Sequence, residues 1–384
     1  MRNALTVDVE DWAQSTLERS LPISGRFVRS TVALLDLFAR HRVRATFFVL
    51  GKAAEAFPEI VPLIAAAGHE VASHGYGHEP VWNLTPAAFA DDLRRARVII
   101  EPLAGRPLVG YRAPDFSIGL RNLWALDILR AEGFRYDSSI YPIRNPRYGV
   151  PGAPLEPYEA VDGLVEFPLA AVTLVGTRWP VAGGGYLRLV PYAITRWALR
   201  RINAEGRPAV VYLHPYEIDA TELGELPYRI SLKLRVTQSL NRHRTRARLD
   251  ALLRDFQLAP MREVLGLSAS PSVTTSSAAR PRSTASIRAA RAGCCAGSTA
   301  LCAPTCTSAS LSRSTPAPTS PVAACSTWAA ARAATPSPWP SAAQCTSSAS
   351  IWPSRCWASP HAWRSSAAST MSATSSAATS SPCR

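Results

Sequence analysis

The chain has 384 residues, enough for one large domain or two smaller ones, and a formal net charge of +14. Of its 42 Lys and Arg, nine Arg lie beyond Glu263, the last acidic residue, so residues 1–263 hold 33 basic against 28 acidic side chains, a net of +5. So mild a charge excludes the cationic field of a nucleic-acid binder, and no run of about 18 apolar residues exists for a membrane-spanning helix.

Residues 1–268 read as one α/β domain. No secretory signal is visible, because Asp8 interrupts the apolar run that follows Met1-Arg2-Asn3. The expected location is therefore cytoplasmic, or peripheral at a membrane. Ala4 to Val9 predicts a buried strand. Arg29 to Arg40 has helical apolar spacing at Val32, Leu35 and Phe38. Ala45 to Leu50 (ATFFVL) predicts a second buried strand, closed by Gly51. A helix over Ile60 to Ala67 stops at Gly68. A third strand begins at Glu70 and runs into a His-rich turn. Thr85 and Pro86 suit the first positions of a helix that continues through Phe89, Leu93 and Val98. Leu123 to Ala131 is a further helix, and Leu164 to Pro168 and Ala209 to Leu213 are later strands. Strands alternating with helices predict a mainly parallel sheet, open or closed into a barrel.

Beyond about Ser268 the sequence changes in kind. Residues 269–384 are rich in Ala, Ser, Thr, Pro and Arg, without helical or strand period. All eight cysteines lie here, and no acidic residue does. The composition is what GC-rich DNA encodes out of frame; a disordered extension is the alternative. Cys302 and Cys306 have the spacing of a zinc pair, but no well-spaced second pair follows.

Five segments carry chemistry. Thr6-Val7-Asp8-Val9-Glu10-Asp11 places three acids at the end of the first strand, the end at which parallel α/β folds assemble their sites. Strand alternation turns Asp8 and Glu10 to one face. Ser73-His74-Gly75-Tyr76-Gly77-His78 brings two imidazoles four residues apart, able to converge on one ion. Imidazole with carboxylate suits zinc and similar divalent ions. In Gly110-Tyr111-Arg112-Ala113-Pro114, Arg112 can pair with a buried carboxylate. Tyr136-Asp137-Ser138-Ser139 is weak by itself. Val210-Val211-Tyr212-Leu213-His214 ends an apolar strand in a histidine. The stretch Arg242 to Arg248 reads as a solvated helix face, with an anionic glycan or membrane surface as the functional alternative.

In this order the five segments resemble the polysaccharide deacetylase family, the NodB homology domain, over nearly all of residues 1–268. The resemblance implies an irregular (β/α) barrel holding one divalent metal ion, zinc being the expectation, on Glu10, His74 and His78; because the family's usual motif has two adjacent acids, Asp11 is the alternative to Glu10. It implies Asp8 as general base oriented by Arg112, and His214 as general acid with its ring held by Asp137. The substrate would be an N-acetylated glycan, with no nucleic acid as partner. The Asp-Val-Glu-Asp start, Gly183-Gly184-Gly185-Tyr186, His214-Pro215-Tyr216-Glu217 and an extension over about 215–268 are similar to the subgroup associated with bacterial exopolysaccharide and exosortase (PEP-CTERM) loci. Tyr76, Trp82, Tyr141 and Tyr186 are candidates to stack on sugar rings, with core packing as the alternative. Two other functions share the residues: hydrolysis of a cyclic amide or imide, and carbohydrate binding without catalysis.

Overall fold

The computed structural model describes residues 1–267. The composition-shifted segment 269–384 and its cysteines lie outside the described residues. Eleven strands form: β1 Arg2–Val9, β2 Thr46–Val49, β3 Glu70–Ser73, β4 Gly110–Tyr111, β5 Tyr136–Asp137, β6 Tyr158–Val161, β7 Leu164–Glu166, β8 Ala171–Leu174, β9 Thr177–Pro180, β10 Val210–Leu213 and β11 Gln257–Ala259. The helices are α1 Arg26–His41, α2 Gly51–Ala56, α3 Ile60–Ala66, α4 Pro86–Ala104, α5 Trp124–Ala131, α6 Gly184–Leu189, α7 Tyr192–Ala204, α8 Leu232–Ser239, α9 Arg242–Asp255 and α10 Met261–Val264.

The main sheet runs β10-β1-β2-β3-β4-β5-β7-β6, with β11 added beside the start of β1. Every pairing except β6 with β7 is parallel. It is a curled α/β half-barrel: among the described residues no backbone ladder joins β6 to β10. At the β10 edge Gly183 bridges to Tyr212 instead. A methyl group on Gly183 would sit 1.8 Å from the Tyr212 ring, so only glycine lets the chain approach there.

Strand alternation divides the core. Leu5, Val7, Val9, Phe47, Val49, Val71, Val211 and Leu213 face the helices, packing with Leu34, Phe38, Ile64, Phe89 and Leu199. Ala4, Phe48, Ala72, Tyr136, Phe167, Val210 and Tyr212 form a second cluster on the concave face. Burial on both faces explains the nearly continuous apolar runs of β1, β2 and β10.

The helices largely follow the sequence pattern, with local differences. Thr85 Oγ1 accepts the Ala88 amide, capping α4. In α1 the buried stripe is Phe27, Leu34, Leu37 and Phe38, whereas Val32 is exposed. Val98 of α4 is also exposed. The basic stretch at the start of α9 is only partly a solvated face. Buried Arg242 donates to the carbonyls of Tyr216 and Gln238. Arg248 donates to the carbonyls of Leu187, Arg188 and Val190 at the end of α6. Arg188, itself 5 % exposed, donates in turn to Thr237, Gln238 and Leu240 at the end of α8. Helix ends leave carbonyls without intrahelical partners, and a guanidinium satisfies several at once. Replacing Arg188 by Ala strands these acceptors. The expected loss is about 2–3 kcal/mol, read as a lower urea midpoint with an unchanged slope; an unaltered midpoint would show the cap to be dispensable.

Candidate active site

Parallel register collects the functional side chains. Val9 pairs with Val49, Val49 with Ser73, Ser73 with Tyr111, and Tyr111 with Asp137. Glu10, His74, Arg112 and Ser138 each follow the last paired residue of their strand, and His214 follows Leu213 of β10. Asp8 lies two residues before Glu10 and so shares its face. Of these, Asp8, Glu10, His74 and His214 line the cavity, and Arg112 lies behind Asp8 against Ser138.

Arg112, fully buried, is the hub. It donates to Asp8 Oδ1 at 2.8 Å, to Thr6 Oγ1 at 2.7 Å, and to the Ser138 carbonyl and hydroxyl at 3.0 Å each. Its guanidinium lies 4.2 Å from the Phe48 ring centroid. Its carbonyl is 2.8 Å from His74 Nδ1, which aims Nε2 of that ring into the site.

Glu10, His74 and His78 are buried and present ligand atoms within 4.8 Å of one another. Glu10 Oε2 lies 3.5 Å from His74 Nε2 and 2.5 Å from His78 Nε2. The same oxygen is buried without a hydrogen-bond partner, whereas Glu10 Oε1 accepts from the Tyr216 hydroxyl at 3.1 Å. A buried, otherwise unsatisfied carboxylate oxygen facing two imidazole nitrogens fits a divalent ion of the zinc type. Burial opposes charge on Glu10, but His78 and His214 hold it well below the usual carboxylate range. Asp11 does other work: Oδ1 accepts the Ala13 and Gln14 amides, and Oδ2 accepts from Ser24.

The loop between the histidines is fixed from three sides. The Gly51 and Lys52 amides donate to the Gly75 and Tyr76 carbonyls. Asp92, on α4, accepts the Tyr76 and Gly77 amides. Arg19 donates to the His78 carbonyl at 2.9 Å. His78 has φ of 59°, in the left-handed region that only a few per cent of non-glycine residues occupy. Asp92 was not singled out from the sequence; only its place on α4 beside the loop reveals it.

His214 stacks on Tyr216, with ring centroids 4.9 Å apart and planes 7° from parallel. Its Nε2 lies 4.0 Å from Asp8 Oδ2 and 3.6 Å from Glu10 Oε1. Its Nδ1 lies 3.5 Å from Glu217 Oε2, an oxygen that also accepts the His214 amide. This corrects the expectation that Asp137 holds the ring. Four strands separate β5 from β10, and Asp137 instead accepts from Ser139 at 2.6 Å and pairs with Glu166. Burial drives both carboxyls upward, Asp137 to about 6 and Glu166 well above its usual range. The Glu217 signal was present, since His214-Pro215-Tyr216-Glu217 sets an acid three residues after the histidine in a turn. Burial lowers the His214 pKa, but Glu10, Glu217 and Asp8 outweigh it and hold it up at about 9.

Asp8, Glu10, His74, His78 and His214 line a cavity of about 180 Å³. Its aromatic walls are Phe116, Tyr148, Tyr212 and Tyr216. Of the aromatics picked from the sequence, Tyr141 is fully buried and stacks behind Tyr148, and Tyr76 hydrogen-bonds Glu55 beneath Arg95. Trp82 and Tyr186 are not in the cavity lining.

Three residues able to hold a metal ion, an acid held by arginine and a histidine whose pKa is raised, gathered at the carboxyl ends of parallel strands, form a constellation suited to a hydrolase. Residues 20–136 match the family model described as "Polysaccharide deacetylase", and residues 138–266 match one described as "Domain of unknown function (DUF3473)". The likeness to polysaccharide deacetylases thus rests on residues 20–136. Over 109 residues it is 38% identical to a peptidoglycan deacetylase of Helicobacter pylori, a match covering 28% of this chain and 36% of that protein. Over 147 residues it is 48% identical to a chitooligosaccharide deacetylase of Sinorhizobium fredii, covering 37% of this chain and 60% of that one. A solved peptidoglycan deacetylase of Bacillus subtilis overlays 69% of this chain and 90% of its own at 16% identity, with a TM-score of 0.34. The chain spans about a third of the length of the Helicobacter relative.

Were His214 the proton donor of a hydrolysis, it would work only while protonated, and turnover would fall as pH rises through its pKa. Glu217→Gln removes one of the charges that hold this pKa up. The alkaline limb of the pH–rate profile should therefore move to lower pH by about one unit. An unmoved limb would show that Glu217 does not act on the ring.

Proposed function

We propose that this protein removes N-acetyl groups from a glycan by hydrolysis. The convergence of Asp8, Glu10, His74, His78 and His214 on one small cavity is the observation that carries the reading. The named activities of the Helicobacter and Sinorhizobium relatives support a glucosamine-type substrate.

An amide is a poor electrophile, water a poor nucleophile and an amine a poor leaving group, so each needs assistance. Glu10, His74 and His78 would hold a divalent ion, which supplies Lewis acidity toward the carbonyl and lowers the pKa of adjacent water. Asp8 receives the proton of the attacking water. Arg112 occupies one of its oxygens, leaving Oδ2 directed toward the cavity. His214, 4.0 Å from that oxygen, donates a proton to the departing nitrogen. Stacking on Tyr216 and contact with Glu217 fix the plane of its ring. Phe116, Tyr148 and Tyr212 offer faces against which a sugar ring can lie. The products are acetate and a free amine on the sugar. A cavity of about 180 Å³ admits the acetamido group and about one ring, so a polymer would lie across its mouth.

An exopolysaccharide, or its oligosaccharide precursor, is the proposed substrate. The support is the sequence likeness to deacetylases of exopolysaccharide loci, concentrated in residues 183–186 and 214–219.

Two measurements test the reading. Protein loaded with zinc should release acetate from an acetylated chitooligosaccharide, and a chelator should abolish the release. Asp8→Asn should retain stoichiometric metal yet lose about 10²–10⁴-fold in turnover, whereas Glu10→Ala should lose the metal. Fully metallated wild type that frees no acetate from any N-acetylated glycan would sink the assignment.

A further inference from the structure

The segment between the site and α9 carries a surface that the reaction does not use. Helix α8 buries none of its residues. Leu232 is 76% exposed, Val236 56% and Leu240 54%. At spacings of four residues these three form one stripe along the helix. Lys233 and Arg235, both exposed, flank the stripe on its two sides. The partly covered Leu234 and Gln238 fall on the opposite side, and Leu234 packs against the cluster of Trp12, Ala13, Tyr216 and Leu223. Tyr216 of that cluster also lines the cavity, so α8 packs on the far side of one cavity wall with its apolar stripe exposed.

An isolated helix of two turns is marginal in water. This one is held at both ends: Ser231 caps its start, and Arg188 binds the carbonyls at its end. The fold thus fixes in place a bare apolar stripe.

Charge identifies what covers it. Residues 226–249 contain seven Lys and Arg and no acid. Arg242 and Arg248 are bound to backbone carbonyls, which leaves Arg229, Lys233, Arg235, Arg244 and Arg246 exposed. A second copy of the same face would meet like charge. Residues 268–384, with nine Arg and no acid, are equally unsuited. An apolar stripe between cations matches the boundary between acyl chains and anionic headgroups.

We propose that the exposed face of α8 and its flanking cations dock this protein on an anionic lipid bilayer, presenting the cavity to glycan carried at that surface. The second clause rests on the deacetylase reading; the docking does not.

The test uses the full chain and unilamellar vesicles, either phosphatidylcholine alone or an equimolar mixture with phosphatidylglycerol. Cosedimentation should require the anionic lipid and weaken with salt. Leu232→Ser/Val236→Ser and Lys233→Glu/Arg235→Glu should each lower binding at least about tenfold. Hydrogen exchange with vesicles present should slow in residues 229–240. Both double variants should still release acetate from a soluble oligosaccharide at the wild-type rate. Binding unaffected by either variant, or exchange unchanged over 229–240, overturns the proposal, as would a loss of self-association instead of vesicle binding. Acetate release is measured without lipid, so failure of the docking and failure of the deacetylase assignment remain distinguishable.

Discussion

The buried Arg112–Asp8 pair is the interaction on which the site depends. An ionised carboxylate and a guanidinium with almost no exposure are costly to remove from water. They persist because nearly every polar atom finds a partner: Asp8, Thr6 and the backbone and hydroxyl of Ser138 take the guanidinium donors, and Phe48 lies against its face. The same residue sets the His74 ring through its carbonyl. One side chain and its backbone thereby tie β1, β4 and the residue after β5 to a candidate metal ligand. Losing the arginine would remove the partner of the buried Asp8 carboxyl, with about 3–5 kcal/mol of stability at stake. Chemistry and folding are coupled at that point.

The site is also shared between two stretches of chain. His74, His78 and Arg112 fall in the segment matched to the polysaccharide deacetylases, whereas His214, Tyr216 and Glu217 fall in the one that follows. Glu10 precedes both, brought in by β1, the strand that pairs with β2, β10 and β11. Tyr216 binds Glu10 and stacks on His214, so the second stretch supports the candidate metal ligand as well as the proposed acid. Neither stretch contains a complete acid–base and ligand set.

Much of this was legible in the sequence, for identifiable reasons. The two-residue period of a strand puts Asp8 and Glu10 on one face, and a histidine pair four residues apart among glycines has few structural explanations. β1, β2 and β10 are buried on both faces and read as apolar runs. By contrast β4 and β5 are two residues long and carry no period, and the β8–β9 hairpin and helices α6 to α8 went unassigned. The choice between Glu10 and Asp11 needed the structure, because it turns on the Ala13, Gln14 and Ser24 donors that occupy Asp11. Asp92 and Tyr148 are brought to the site by tertiary packing alone. Asp137 was assigned by resemblance, and that assignment could not see that a nearer acid, Glu217, stands beside the ring.

The relocation of Asp137 bears on how genetic data from this protein should be read. Its carboxyl is buried near that of Glu166, and burial raises both. A substitution there would disturb a buried pair of acids in the sheet rather than disarm the histidine. In a mutational screen scored by product, Asp137 would rank beside the active-site residues while reporting only how much folded enzyme the cell retains. Abundance measured alongside product would separate the two, and would move Asp137 from the list of reacting groups to the foundations beneath them.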